Sequence, residues 1–311
     1  MEHIPVLLHE IITNLMIKSD GVYVDATLGG GGHSYHILEK LNKSGHLYGF
    51  DQDLTALETS SQRLRSLSLN HTLIHRNFRF IKEELEARGI KAVDGIIFDL
   101  GVSSFQLDTP ERGFSYQHEA PLDMRMNQTQ TLTAAHVVNT YDLSNLTRVI
   151  RDYGEEKFAY MIAKKIVNQR LIAPIKTTTQ LADLIKRAMP RAALHEKGHP
   201  AKRTFQALRI EVNQELEILK ESLEKALKLL KPTSRLLVIS FHSLEDRIVK
   251  DLFNQYAKQK SSNRFLPPIS NPRLDYRLIT KKPTTASGKE IDSNYRAHSA
   301  KLRIIERIKE D

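Results

Sequence analysis

The chain has 311 residues, 40% of them hydrophobic and 27% charged, with a formal net charge of +9 and no cysteine. That length allows one large domain or two modest ones with ample chain for a core, and the balance of residues is that of a globular protein in water. Disulfides, thiolate zinc sites, cysteine nucleophiles and protein-ligated iron–sulfur clusters are excluded. No apolar run approaches the length of a membrane span, and the first residues lack a basic segment followed by an apolar one, so a cytoplasmic location is expected.

The positive charge is unevenly spread. Residues 258–311 carry 13 basic and six acidic side chains, and residues 108–203 carry 15 and ten. A protein that lays an acidic polymer across its middle and tail has this distribution.

Residues 5–18 place apolar side chains at helical spacing. Val22-Tyr23-Val24-Asp25 reads as a strand that ends in an acid. Gly29, Gly30, Gly31 and Gly32 follow, then a helix over 34–41: strand, tight turn and helix, which brings backbone N–H groups close to a ligand. The third glycine of the dinucleotide fingerprint is replaced by Ser34. A second strand over 45–51 ends in Asp51, and the next helix has Thr55 and Glu58 at capping-box spacing, with Asp53 also placed to cap it. Residues 71–75 make a third strand and 80–88 a helix, and the fourth strand, 93–99, ends in Asp99. Strands alternating with helices predict a parallel sheet covered on both faces.

From about 108 to 205 the strand signal disappears, and helices are expected over 143–169 and 179–189. A long helix over 207–230, stopped by Pro232, then restores the alternating pattern. A fifth strand (235–240) and a helix (244–257) capped by Ser243 come next. Residues 258–300 read as basic loop, and 300–308 as a last, edge strand. The expected fold class is therefore α/β, a mostly parallel Rossmann-like sheet formed by 1–107 and 207–311, with a helical insertion over 108–206 that meets the substrate.

In such sheets ligands bind beyond the carboxyl ends of the strands, where Asp25, Asp51, Asp99 and Ser240 fall. Asp51, about twenty residues past the glycines, is placed to accept the hydroxyls of a ribose. Nicotinamide and S-adenosylmethionine (SAM) both fit that much. The polar segment Asp99-Leu100-Gly101-Val102-Ser103-Ser104 supplies acceptors of the kind an amino-group methyltransferase needs beside its target amine. Carbon-5 methylation of cytosine through a thiolate is excluded, so a nitrogen or oxygen target is implied if the chain methylates nucleic acid. In Ser240-Phe241-His242-Ser243, Phe241 is a stacking candidate and His242 a pocket candidate. The alternative is a helix cap beside a core phenylalanine. Phe105, Phe114 and Tyr116 are further stacking candidates. Arg112, Arg125, His199, Lys202 and Arg203, with His195 in the same loop as the last three, are candidate phosphate contacts; Arg125 has Asp123 as an alternative internal partner. The histidines show no metal-ligand spacing.

Several longer segments resemble the RsmH (MraW) family. They are Thr27-Leu28-Gly29-Gly30-Gly31-Gly32-His33-Ser34, the Asp99–Ser104 run with Gln106-Leu107-Asp108, Glu111-Arg112-Gly113-Phe114-Ser115 and Pro121-Leu122-Asp123-Met124-Arg125-Met126. Arg203-Thr204-Phe205-Gln206-Ala207-Leu208-Arg209-Ile210 and Ser240-Phe241-His242-Ser243-Leu244-Glu245-Asp246-Arg247 complete the set. The resemblance implies a class I SAM-dependent methyltransferase domain interrupted by a helical one. It implies N4-methylation of a cytosine in the decoding centre of 16S ribosomal RNA within the small subunit, with no membrane partner; a homodimer is left open. The implied SAM site comprises Gly31, Gly32, His33, Asp51, Phe78, Asp99 and Gln106, and the catalytic candidates are Asp99, Ser103 and His242. Phe105 stands where the family usually has proline, and Lys202 where it usually has threonine. A nicotinamide oxidoreductase and a non-catalytic RNA-binding assembly factor are the alternatives; the presence of Asp51 and Asp99 argues against the latter.

Overall fold

A seven-stranded sheet is formed by β1 (Val22–Asp25), β2 (His46–Asp51), β3 (His71–His75), β4 (Val93–Asp99), β5 (Leu230–Ser240), β6 (Tyr276–Leu278) and β7 (Lys301–Arg307). The computed structural model describes residues 4–195, 198–258 and 274–308. Strand order is β3-β2-β1-β4-β5-β7-β6. The first five strands are parallel, and β7 runs antiparallel to both β5 and β6. The order turns back on itself between β1 and β4, which opens a crevice at their carboxyl ends.

Alternate residues of each strand feed two cores, because successive side chains point to opposite faces. Val24, Phe50, Ile96, Phe98, Leu236 and Val238 pack on one face. Tyr23, Leu47, Ile97, Leu237 and Ile239 pack on the other. Both faces being covered, the strands read as near-continuous apolar runs rather than alternating ones.

The helices α1 (Leu8–Asn14), α2 (Gly32–Leu38), α3 (Leu54–Arg65) and α4 (Ile81–Glu86) accompany the first four strands. Asp53 caps α3, accepting the Thr55 N–H through its carboxylate, so Thr55 lies inside the helix. Then come α5 (Ser104–Asp108), α6 (Ala134–Thr140), α7 (Leu143–Gly154), α8 (Ala159–Arg170), α9 (Thr178–Ala188) and α10 (Lys202–Asn213). The chain finishes with α11 (Glu215–Leu229), α12 (Ser243–Ala257) and α13 (Gly288–Ser293) among the last strands.

Two compact units result. One comprises Met1–Gly101 with Leu216–Asp311, and the other is Val102–Glu215. The second has its own core, including Leu122, Met124, Val137, Leu146, Ile150, Ile162, Ile166, Leu181, Ile185 and Leu208. Within it Asn213 ties α10 to the Asp123–Met126 segment: its amide donates to the Met124 carbonyl at 2.8 Å and accepts the Met126 N–H at 2.8 Å.

Several features of the fold depart from the sequence reading. The helix expected over 143–169 is two, α7 and α8, because the backbone turns left-handed at Glu155 (φ 49°). The apolar stripe over 207–230 belongs to two helices, because the backbone turns left-handed at Gln214 (φ 50°) between α10 and α11. Hydrophobic period does not register a single such residue. Pro232 lies within β5 instead of ending a helix. Val93 pairs with Leu230 and Gly95 with Arg235, so β5 carries extra residues between those pairs, and a strand proline is tolerated at such a bulge. β7 is interior. The edge is β6, three residues in a stretch read as loop, too short to show any periodicity. The rest of that basic stretch over 259–273, and the side chain of His195, lie outside the described residues. Finally, α12 is capped by His242, not Ser243: the imidazole accepts the Glu245 N–H.

The antiparallel half of the sheet is clamped by Glu306 on β7, which is 4% exposed. It accepts from Arg235 on β5 at 2.8 Å and from Arg277 on β6 at 2.6 and 2.9 Å. Removing a buried charged partner typically costs about 3–5 kcal/mol. Arg277 is well exposed, so the lower end applies: Glu306→Ala is expected to lower unfolding stability by about 3 kcal/mol in urea titrations followed by circular dichroism.

Candidate active site

The crevice at the β1/β4 switch is lined by three acids, each the last residue of its strand: Asp25, Asp51 and Asp99. A short network of hydrogen bonds fixes them. Asp25, 1% exposed, accepts the Ser34 hydroxyl at 2.7 Å and the Thr27 N–H at 3.1 Å, which pins both ends of the glycine turn. Thr27 Oγ1 in turn accepts the Asp99 N–H at 2.6 Å. Asp51 accepts the Gly29 N–H at 2.9 Å and the Asp53 N–H at 2.8 Å.

Two glycines of the turn are dictated by close packing. Gly31 has φ +71° and a Cβ there would lie 3.0 Å from the Ser60 Cβ; at Gly32 it would lie 2.6 Å from the Pro5 ring. The turn therefore packs tightly against its own unit on this side. His33, the next residue, is 5% exposed. Its Nε2 lies 2.9 Å from the Val6 carbonyl. A carbonyl only accepts, so Nε2 carries the proton and Nδ1 faces Asp99 Oδ2 at 3.6 Å. Oδ1 of Asp99 is buried and has no hydrogen-bond partner, while 27% of the side chain remains accessible.

Burying acids beside one another disfavours their charged forms. Burial pushes Asp25 up to about 6, although Ser34 and Thr27 oppose it. Asp51 is likewise raised to about 6, by burial and by Asp53, against the N–H groups that it accepts. Asp99 goes up to about 8, through burial first and then the charges of Asp25 and Glu245. A cation brought into the crevice would reverse this repulsion, and the unpartnered Oδ1 of Asp99 offers it an acceptor. Asp51, half-buried, keeps carboxylate lone pairs for further donors. These features fit a cationic, ribose-bearing cofactor such as SAM.

Phe78 follows β3 and packs its ring edge-to-face on Phe98, centroids 5.4 Å apart. Its neighbour Asn77 donates to the Gln52 side chain at 2.9 Å, which joins the ends of β2 and β3. That link was not expected from sequence, and nothing in the pattern signals it. Ser34 was readable only as a missing third glycine; its hydroxyl is what Asp25 holds.

The remaining candidates are placed differently. Ser103 and Gln106 belong to the helical unit and form the capping box of α5: the Ser103 hydroxyl accepts the Gln106 N–H and the Gln106 side chain accepts the Ser103 N–H. His242 has its Nδ1 occupied as the α12 cap, and its Nε2 lies 3.2 Å from a Glu245 carboxylate oxygen. Arg112 is buried and donates to the Arg125 and Met126 carbonyls. Arg125 grips Asp123 with two nitrogens, at 2.8 and 2.7 Å, and so holds that carboxyl below its usual range. His199 stacks on Tyr116, centroids 4.3 Å apart. Arg203 donates to the Glu155 carbonyl at 2.9 Å, and Lys202 is exposed.

The MraW methylase family model matches residues 1–308. The chain belongs to the MraW methylase family. It is 51% identical over 311 residues to the ribosomal RNA small subunit methyltransferase H of Lactiplantibacillus plantarum, an alignment covering 99% of this chain and 98% of that one. Among solved structures, it is similar to an rRNA methylase from Streptococcus thermophilus (TM-score 0.43, 12% identity, 97% and 94% of the two chains). A SAM-dependent O-methyltransferase from Thermotoga maritima also aligns (TM-score 0.42, 9% identity, 100% and 69%). Membership in a methylase family sets aside the nicotinamide reading. Among the described residues no helix is long and apolar enough to cross a membrane.

The crevice acids give this family member a distinctive pH response. Folded Asp99 holds its proton up to about pH 8, and Asp25 and Asp51 hold theirs to about 6. Unfolded, all three release protons near 4. The native state therefore binds more protons between these limits, and its stability falls as pH rises from about 4 to about 8. Urea titrations across that range are expected to show the decline. Asp99→Asn should flatten most of it above pH 6 and raise stability at pH 8.

Proposed function

We propose that this chain transfers the methyl group of SAM to N4 of a cytosine in the small-subunit ribosomal RNA, in the cytoplasm, and that Asp99 receives the amine. The observation that carries this reading is the buried, unpartnered Oδ1 of Asp99 at the carboxyl end of β4. Asp51 accepts the ribose hydroxyls, the Phe78 ring packs beside the adenine, and Gly31, Gly32 and His33 border the methionine portion. SAM supplies an electrophilic methyl carbon held on a sulfonium.

The lone pair of an exocyclic cytosine amine is delocalised into the ring. A carboxylate that accepts one of its N–H bonds favours the pyramidal geometry in which that pair attacks, and it takes the proton the methylated nitrogen sheds. The rest of the work is alignment, which needs neither a metal nor a covalent intermediate. His33 Nδ1, directed at Asp99 Oδ2, provides a second seat for the same proton. The sheet unit alone carries this proposal.

Labelled methyl transfer to small subunits from a strain lacking the enzyme, followed by nucleoside analysis, tests it. N4-methylcytidine is the expected product; another methylated nucleoside, or none, would overturn the assignment. Asp99→Ala is expected to lower the rate at least a hundredfold, as loss of a proton acceptor does, while far-UV circular dichroism stays unchanged. In the wild type kcat/KM should rise with pH and level off above about 8, as Asp99 loses its proton in the free enzyme.

A further inference from the structure

Helix α8 turns Ile162, Ala163 and Ile166 into the core of the helical unit. Its opposite side leaves Tyr160 55% and Met161 46% exposed, with Lys164 and Lys165 exposed one turn on and Lys157 just before the helix. Spacings of three and four residues put these side chains in one stripe. The Lys164 ammonium lies 6.0 Å from the centre of the Tyr160 ring. Leu171 and Ile172, just past the helix, are 80% and 83% exposed.

The positive charge of the helical unit sits on two segments, this one and residues 186–203, which contain six basic and one acidic side chain. Residues 102–215 contain 16 basic and 12 acidic side chains; residues 157–176 contain five basic and none acidic. Without that segment the unit would be slightly negative. Several arginines of the unit already have partners: Arg148 faces Glu211, Arg151 faces Asp152, Arg209 faces Glu215 and Arg170 donates to the Val138 carbonyl, beside Arg112 and Arg125 described above. The segment's like charges repel one another and find no carboxylate within it to offset this.

We infer that the exposed face of α8 is an RNA-docking surface, with Lys157, Lys164 and Lys165 along the phosphates and Tyr160 stacked under a base. Exposed lysines on either side of an exposed ring meet both needs of a nucleic acid: charge for the backbone and a flat apolar face for a base. The inference rests on the ribosomal RNA reading and names where in the helical unit the RNA is held. It shifts that contact from the arginine-bearing motifs of residues 111–126, whose cations are spent internally, to a helix that those motifs do not include.

Filter binding of the full-length protein to a small-subunit rRNA fragment over a salt series tests this, with Lys164→Gln/Lys165→Gln and Tyr160→Ala as variants. All three positions are surface-exposed, so thermal melts and SAM titrations should match the wild type. The double lysine variant is expected to bind about tenfold more weakly, with the salt slope shallower by about one unit per lysine. Tyr160→Ala should lose about tenfold in affinity at every salt concentration with its slope unchanged. Wild-type affinity and slope in both variants, beside a wild type that binds, would overturn this inference alone. So would retained RNA binding with lost affinity for phosphatidylglycerol vesicles, or with a wild-type dimer that Tyr160→Ala dissociates. A wild type with no affinity for the RNA would overturn the function as well.

Discussion

The buried contact between Asp25 and Ser34 is the constraint on which the rest of the crevice depends. One carboxylate, closed off from water, holds a hydroxyl at the start of α2 and an N–H two residues beyond β1. The glycine turn between them has little freedom left. Through Thr27 the same turn fixes the backbone of Asp99, and through Gly29 it fixes the carboxylate of Asp51. Three strand ends are thus set by one chain of hydrogen bonds. Its electrostatic cost is visible in the raised proton affinities of all three acids. A folded protein tolerates such strain only where the surrounding structure overdetermines it, and such places are often functional.

That repulsion also bears on which ligands such a crevice favours. Acids that resist ionisation together ionise more readily when a cation enters, so a positively charged ligand is favoured over a neutral one of the same shape. Methyl transfer from a sulfonium leaves a neutral thioether. On the proposed reading, a crevice of these acids that draws in the sulfonium is less suited to the thioether, and protons can return to the acids as the product leaves.

Much of this was legible in the sequence because parallel strands announce themselves twice, by apolar runs and by what ends them. Asp25, Asp51 and Asp99 each close such a run, and their shared rim follows from the parallel pattern alone. What was not legible lies at single residues or in partner choice. Gln214 breaks a helix without interrupting its apolar stripe. β6 is three residues whose pairing is decided by β7, almost thirty positions later. Ser243 looks like the better cap by residue type, yet His242 takes the role because Glu245 reaches back to its N–H. Arg112 and Arg125 carry charge that a sequence offers to any anion, and only the fold reveals that nearby carbonyls and Asp123 have claimed it.

The division of the chain also bears on how it folds. β4 must pair with β5, but residues 102–215 are made between them. The helical unit is continuous in sequence and has its own core, so it can form as soon as it leaves the ribosome. The sheet must wait for the strands that follow. Until then β4 presents an unpaired apolar edge, the kind of surface that invites wrong partners. A helical insert that has already collapsed shortens the flexible span to be closed and so lowers the entropy lost when β5 arrives. Compactness of the middle of the chain thereby limits how long the sheet remains open during synthesis.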